Sequence, residues 1–165
     1  MPAQTSYAVN MSAAFAGMLA DGSASDVIAL TNKEASAEMP FGVAVAFEGS
    51  TDDTGALSPD ALTDKIAGLL LHAHNYAKPN ELGDTGLKPG ATLNVLRKGR
   101  MWATCEDGCS PGSRLHVRVL AGTEGALRAS ADGVNTIDST TQGIWLTTAT
   151  AGNLAVLEVD FTNKP

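Results

Sequence analysis

The sequence predicts an all-β protein, an antiparallel β-sandwich or barrel with long loops, and three observations support this class. Residues 114–120 alternate with the period of two of a half-buried strand. Leu115, Val117 and Val119 share one face, and the opposite face, with Arg114, His116 and Arg118, is expected to be basic and open to solvent or a partner. Residues 153–162 alternate in the same way at the end of the chain. Short strand-like runs also recur at near-regular spacing with turn signals between them, as in sandwiches and barrels.

The predicted strands share apolar or alternating runs bounded by Gly, Pro, Asp or Asn. In chain order they cover residues 26–30, 41–47, 93–97, 100–104, 114–120, 126–131, 143–148 and 153–162. Between the third and fourth, Lys98-Gly99 predicts a two-residue hairpin turn, because such turns need a positive φ that Gly adopts at little cost.

One segment is ambiguous between helix and strand. Residues 58–60, Ser-Pro-Asp, read locally as a helix start, with a cap residue, a Pro in the first turn and an acid near the positive end. Apolar residues continue at helical spacing as far as Ala73. Gly68 interrupts them, however, and residues 69–74 also fit a buried strand, so the pattern alone leaves both structures open.

The length of 165 residues predicts one body, residues 21–165, preceded by an arm, residues 1–20. Tyr7, Met11 and Phe15 are the large side chains of this weakly patterned arm. An arm of this kind can order on a partner and wrap surface that a rigid domain does not reach.

Charge and hydropathy exclude several function classes. The net charge of −7 argues against sequence-independent nucleic-acid binding, which requires neutralisation of phosphates. No apolar run reaches the ~18 residues of a membrane-spanning helix. Residues 1–20 lack Lys and Arg, so a secretory signal is not expected, and the predicted site of synthesis is a cytoplasm.

Cys105 and Cys109 enclose Glu-Asp-Gly. The pair could form a small-loop disulfide or half of a zinc site, but a zinc site needs two more ligands and there is no other cysteine. Synthesis in a cytoplasm favours free thiols, which is the expectation here.

Two ligand-binding functions are alternatives. His72 and His74 lie two apart, so on a strand they share a face, and with Glu81 and His116 they loosely resemble the metal site of the cupins, although the spacing to Glu81 is too long. The second alternative is a carbohydrate-binding β-module. Its aromatic platform would have to come from the two tryptophans, of which Trp102 is expected to fill the core. No cofactor is predicted.

The chain resembles the bacteriophage structural cement proteins, also called capsid decoration proteins, in six stretches that together span most of its length. They are FAGMLADG at 15–22, PFGVAVA at 40–46, LHAHN at 71–75, NVLRKGRMWAT at 94–104, GALRASADG at 125–133 and LAVLEVD at 154–160. The Cys105–Cys109 loop and the insert at residues 52–64 depart from the family pattern.

The resemblance implies a non-enzymatic protein with a mostly β, β-tulip-like fold and a strand over residues 68–74. It implies binding to the outside of an icosahedral phage head, between major capsid subunits, as a trimer or, failing that, a dimer. Two sets of capsid contacts are expected on this basis. They are Tyr7, Met11 and Phe15 of the arm, and Arg97, Lys98 and Arg100 at the tip of the expected hairpin.

Overall fold

The computed structural model describes residues 14–49, 54–72, 82–83 and 85–162, and this part of the chain is all-β. Its strands are β1 Asp26–Asn32, β2 Met39–Pro40, β3 Ala44–Phe47, β4 Gly55–Leu57, β5 Ile66–Leu70, β6 Gly86–Leu87, β7 Thr92–Cys105, β8 His116–Arg118, β9 Leu127–Arg128, β10 Thr136–Asp138, β11 Gly143–Trp145 and β12 Asn153–Asp160. A 3-10 turn covers Gly133–Asn135. Within these ranges, no helix is long and apolar enough to cross a membrane.

The first half of the fold is a closed barrel. Hydrogen-bonded neighbours run β1, β4, β3, β5, β7 and back to β1. Closure occurs at Leu96 of β7, which pairs with Val27 on one side and with Leu69 on the other. A closed sheet leaves no free strand edge, so the backbone of this half is satisfied internally.

The second half is a sheet built on the remainder of the same strand. β12 pairs antiparallel with β7 without interruption, from Lys98 opposite Asp160 to Cys105 opposite Asn153. β11 pairs with β12, and β9, β8 and β10 follow from the end of β7. The long strand β7 is therefore shared by the barrel and the second sheet.

Each half has its own hydrophobic core, and β7 contributes to both. Leu93 and Val95 face the barrel core, whereas Leu96, Met101 and Ala103 face the second core. Leu96 faces the second core by ordinary alternation after Val95. The strand changes phase after Leu96, at the irregularity in its pairing with β1, so that Met101 and Ala103 face the same core as Leu96. A residue inserted into a strand in this way re-aims the side chains that follow it.

Several sequence predictions are confirmed. β12 occupies most of residues 153–162, and its Ala155, Leu157 and Val159 are buried. β5 shows that the ambiguous segment is a strand. Gly68 within it approaches β7 so closely that an added Cβ would collide with the carbonyl oxygen of Leu96, which explains the small residue there.

The hairpin expected at Lys98-Gly99 is wrong. Both residues lie in the middle of β7, which runs straight through them for 14 residues. The local turn signal is outweighed because β12 pairs continuously across this point, with Gly99 opposite Val159. Non-local pairing overrides a two-residue propensity of this kind.

Two further side-chain placements differ from expectation. Trp102 is half-buried on the outer face of β7, and it is Trp145 that fills the core, fully buried, with its Nε1 donating to the Arg128 carbonyl oxygen at 3.3 Å. Arg118 does not lie on an open basic face, because only 9% of its side chain is exposed. Aromatic and Arg side chains can both be buried when their polar ends find partners.

Candidate interaction surface

The end of the predicted arm is part of the folded body. Tyr7 and Met11 lie outside the described residues. Residues 14–20 run beside β7, where the Gly17 N–H donates to the Trp102 carbonyl at 2.8 Å and the Trp102 N–H donates to the Met18 carbonyl at 2.7 Å. The edge of β7 opposite β12 is thus covered by this short segment.

The same segment carries an exposed apolar surface. Phe15, Met18 and Leu19 are 43%, 37% and 38% exposed, and together they are called the apolar edge below. The Phe15 ring packs edge-on against His72 at 4.5 Å, and His72 packs against Phe41 at 4.4 Å. These contacts hold Phe15 in place with nearly half of its surface open, as at sites of protein–protein contact.

Lys98 and Arg100 project from the outer face of β7 beside acidic residues of β12. Lys98 Nζ lies 2.8 Å from Asp160 Oδ2, and Arg100 Nε lies 2.5 Å from Glu158 Oε2. Arg100 Nη1 also lies 3.3 Å from Asp21 Oδ2. These five residues form a charge ladder in which both cations have carboxylate partners.

Contacts within the ladder shift the pKa values of Asp160, Lys98 and Arg100. The hydrogen bond from Lys98 is the largest cause that lowers the pKa of Asp160 to about 2, and the same bond raises the pKa of Lys98. The hydrogen bond to Glu158 raises the pKa of Arg100. The charged forms of Lys98, Arg100 and Asp160 are therefore favoured by the ladder.

The ladder forms one wall of an open groove of about 500 Å³ that crosses β7, β12 and β11. Arg114 lies at the opposite side, and its Nη1 donates to the Thr140 carbonyl oxygen at 3.4 Å. Among the described residues Arg114 has no carboxylate within salt-bridge distance. It is the cation of the groove whose charge is available to a partner, and sequence reasoning assigned it no contact.

Arg97 differs from its neighbours on β7. Its guanidinium Nη2 donates to the Phe161 carbonyl at 3.2 Å and lies 3.5 Å from the Thr162 carbonyl. Arg97 therefore fastens the chain after β12. The structure places Lys98 and Arg100 in one groove and gives Arg97 this separate role.

A second charged cluster lies beside the Cys105–Cys109 loop, with its two arginines mostly buried and its carboxylates partly exposed. Arg118 donates to Glu106 at 2.7 Å and to Asp132 at 2.8 Å, and Arg128 donates to Glu106 at 3.0 Å. Burial opposes the shift, but these hydrogen bonds lower the pKa of Glu106, and Glu106 raises the pKa of Arg118. Both cations of the cluster therefore have carboxylate partners, and the cluster stabilises the loop.

The residues considered for a metal site are not brought together in the described part of the chain. His74 and Glu81 lie outside it, and the His72 ring is enclosed by two aromatic rings. Across the described ranges there is no group of three or more His, Cys, Asp or Glu side chains that could hold a metal ion.

Comparison with known families decides what kind of protein carries these surfaces. Residues 3–160 match the model of the family described as "Structural cement protein (E217 gp24/Pam3 gp6)". The chain belongs to the phage structural cement protein family. This cement protein is accordingly a structural component of a phage virion, and the expected family resemblance is confirmed.

A solved structure has the same fold. A chain of "The capsid of Myoviridae Phage XM1" superposes on the cement protein with a TM-score of 0.69 at 16% identity, covering 97% of this chain and 98% of the other. No curated protein matches the chain.

Proposed function

We propose that the protein binds the outer surface of an icosahedral phage head and bridges neighbouring major capsid subunits without catalysing a reaction. The family match over residues 3–160 is the observation that carries this proposal. A rigid two-core body is suited to such a role, since it presents fixed surfaces to two neighbours at once.

The apolar edge is the best-supported contact on the body. Phe15 is fixed by His72 and stays 43% exposed, so docking it costs little side-chain entropy. The residues before it, including Tyr7 and Met11, extend the contact as an arm.

The charged groove is proposed as a second contact. Lys98 and Arg100 already have internal partners, so they contribute orientation more than affinity. Arg114 supplies the unpaired cation, which would meet a carboxylate of the capsid subunit. Arg97 acts indirectly, by holding the end of β12 that supplies Asp160.

We further propose that the protein acts as a homo-oligomer, a trimer or alternatively a dimer. A linked set of modest interfaces binds far more tightly than one copy, because every contact after the first is intramolecular. A shell under internal pressure is held effectively by such a multivalent clamp.

Co-sedimentation of the purified protein with heads that lack it tests this proposal. We expect wild-type protein to sediment with the heads, and deletion of residues 2–13 or Phe15→Ser to reduce the bound fraction. Val134→Ser is the matched control, since Val134 is 77% exposed on the 3-10 turn, away from the apolar edge. Absence of wild-type binding, or an equal effect of the control, would contradict the proposal.

A further inference from the structure

The loop between Cys105 and Cys109 has both ends fixed. Cys109 exchanges two backbone hydrogen bonds with Ala149, at 2.9 and 3.1 Å, and the Gly152 N–H donates to the Cys105 carbonyl at 2.8 Å. Both cysteines are free thiols and both are buried, with Cys105 0% and Cys109 8% exposed. The two ends of the loop are thus held against the same turn.

The interior of the loop is anchored as well. Asp107 accepts hydrogen bonds from the backbone N–H groups of Ala129 at 2.8 Å and Ser130 at 3.1 Å. Glu106 accepts from Arg118 and Arg128. Because Glu106 and Asp107 both have hydrogen-bond partners outside the loop, the path of the chain between the two cysteines is fixed while the protein is folded.

The two cysteines belong to the same buried apolar cluster, and their thiols have only weak hydrogen-bond partners. Burial is the main reason that the pKa of Cys105 is raised to about 12. The Cys109 thiol raises this pKa further, through its charge and through a hydrogen bond. Cys105 Sγ otherwise donates to Asp107 Oδ1 at 3.5 Å, and Cys109 Sγ donates to the Thr147 carbonyl at 3.4 Å. Sulfur hydrogen bonds of this kind are weak and are given up at little cost.

We propose that Cys105 and Cys109 form a dithiol–disulfide site, which a small disulfide such as oxidised glutathione converts into a bond closing the loop. The Cys109 thiolate attacks one sulfur of oxidised glutathione and releases one glutathione thiolate. Cys105 then loses its proton and attacks the Cys109 sulfur, releasing the second glutathione. The two protein thiols are oxidised and one glutathione disulfide is reduced to two thiols.

The order of attack follows from burial. Cys109 has the more accessible thiol, whereas Cys105 is completely buried and holds its proton more firmly. The folded loop raises the effective concentration of Cys105 at the mixed disulfide, so the second step outcompetes release of the adduct. Oxidation of the two thiols is measured on the isolated protein, so its outcome is independent of whether the protein binds phage heads.

Equilibration of the native protein with mixtures of reduced and oxidised glutathione tests the site. We expect intact-mass measurement to show that the folded chain loses two hydrogen atoms. This loss should occur at a lower ratio of oxidised to reduced glutathione than the same loss in the chain unfolded by urea. Two free thiols at every ratio, a stable glutathione adduct, or no difference between folded and unfolded chains would overturn the proposal.

Single variants test the order of attack. Cys105→Ser should trap one glutathione on Cys109, whereas Cys109→Ser should leave Cys105 unmodified in the folded protein. Circular dichroism confirms that both variants are folded, and Cys→Ala versions replace any that are not. An adduct of equal yield in the two variants would overturn the assigned roles.

Discussion

At the scale of single residues, Arg118 and Arg100 show how burial changes the contribution of an ion pair to stability. Arg118 is a cation with a nearly buried side chain and two carboxylate partners, whereas Arg100 has similar partners at the surface. Removing the buried Arg118 guanidinium leaves Glu106, which is partly buried, without a compensating charge, whereas the partners of Arg100 stay in contact with water. The same chemistry therefore contributes differently to stability at the two positions.

We expect Arg118→Met to lower the free energy of unfolding by about 2–3 kcal/mol, because two charge-assisted hydrogen bonds are lost and Glu106 stays partly buried. Denaturant unfolding measures the change. Arg100→Met is the matched control and should have a much smaller effect. Equal losses in the two variants would show that burial does not set the difference.

The Asp160–Lys98 pair predicts a particular acid dependence. The folded pKa of Asp160, about 2, lies below its ordinary value of about 4, so the carboxylate stabilises the fold above pH ~4 and loses this effect as the pH falls to ~2. Asp160→Asn and Lys98→Met should each make unfolding stability depend less steeply on pH in this window.

Unfolding of the single variants and of the double variant between pH 2 and pH 5 measures this effect. The double variant should resemble Asp160→Asn, because the Lys98 contribution is lost with the carboxylate. Lys98→Met should have the smaller effect, since the Thr162 N–H and hydroxyl still donate to Asp160. Additive changes in the double variant would mean that Lys98 and Asp160 do not act through each other.

At the scale of the element, β7 organises the molecule. Its first half closes the barrel and its second half carries the sheet that ends in β12. The phase change after Leu96 keeps Leu96, Met101 and Ala103 on the second core. The place where β5 meets β7 is especially close, since Gly68 packs directly against the Leu96 carbonyl.

Gly68→Ala is expected to destabilise the protein by about 2–4 kcal/mol, because the new Cβ meets backbone that cannot move without opening the barrel. Thermal unfolding of the variant measures the loss. Gly22→Ala is the matched control, since an added Cβ there has no atom within 4 Å. A neutral Gly68→Ala would mean that the β5–β7 contact can relax.

At the scale of the whole molecule, the all-β class and the closing strand were predictable, and the path of β7 was not. The alternation at residues 153–162 is a local signal, so it predicts β12 directly. Lys98-Gly99 and Trp102 were misplaced because their environment is set by strands β1 and β12, more than 50 residues away in the chain. The apolar edge depends on the same long-range pairing, so only Phe15 of its three residues was predicted.

The central claim is that this rigid body stabilises a phage head by binding across its subunits. The most direct test is the temperature at which heads release their DNA, measured with and without saturating protein. We expect bound protein to raise this temperature, and the variant lacking residues 2–13 to raise it less. An unchanged release temperature on heads that demonstrably carry the protein would contradict the claim.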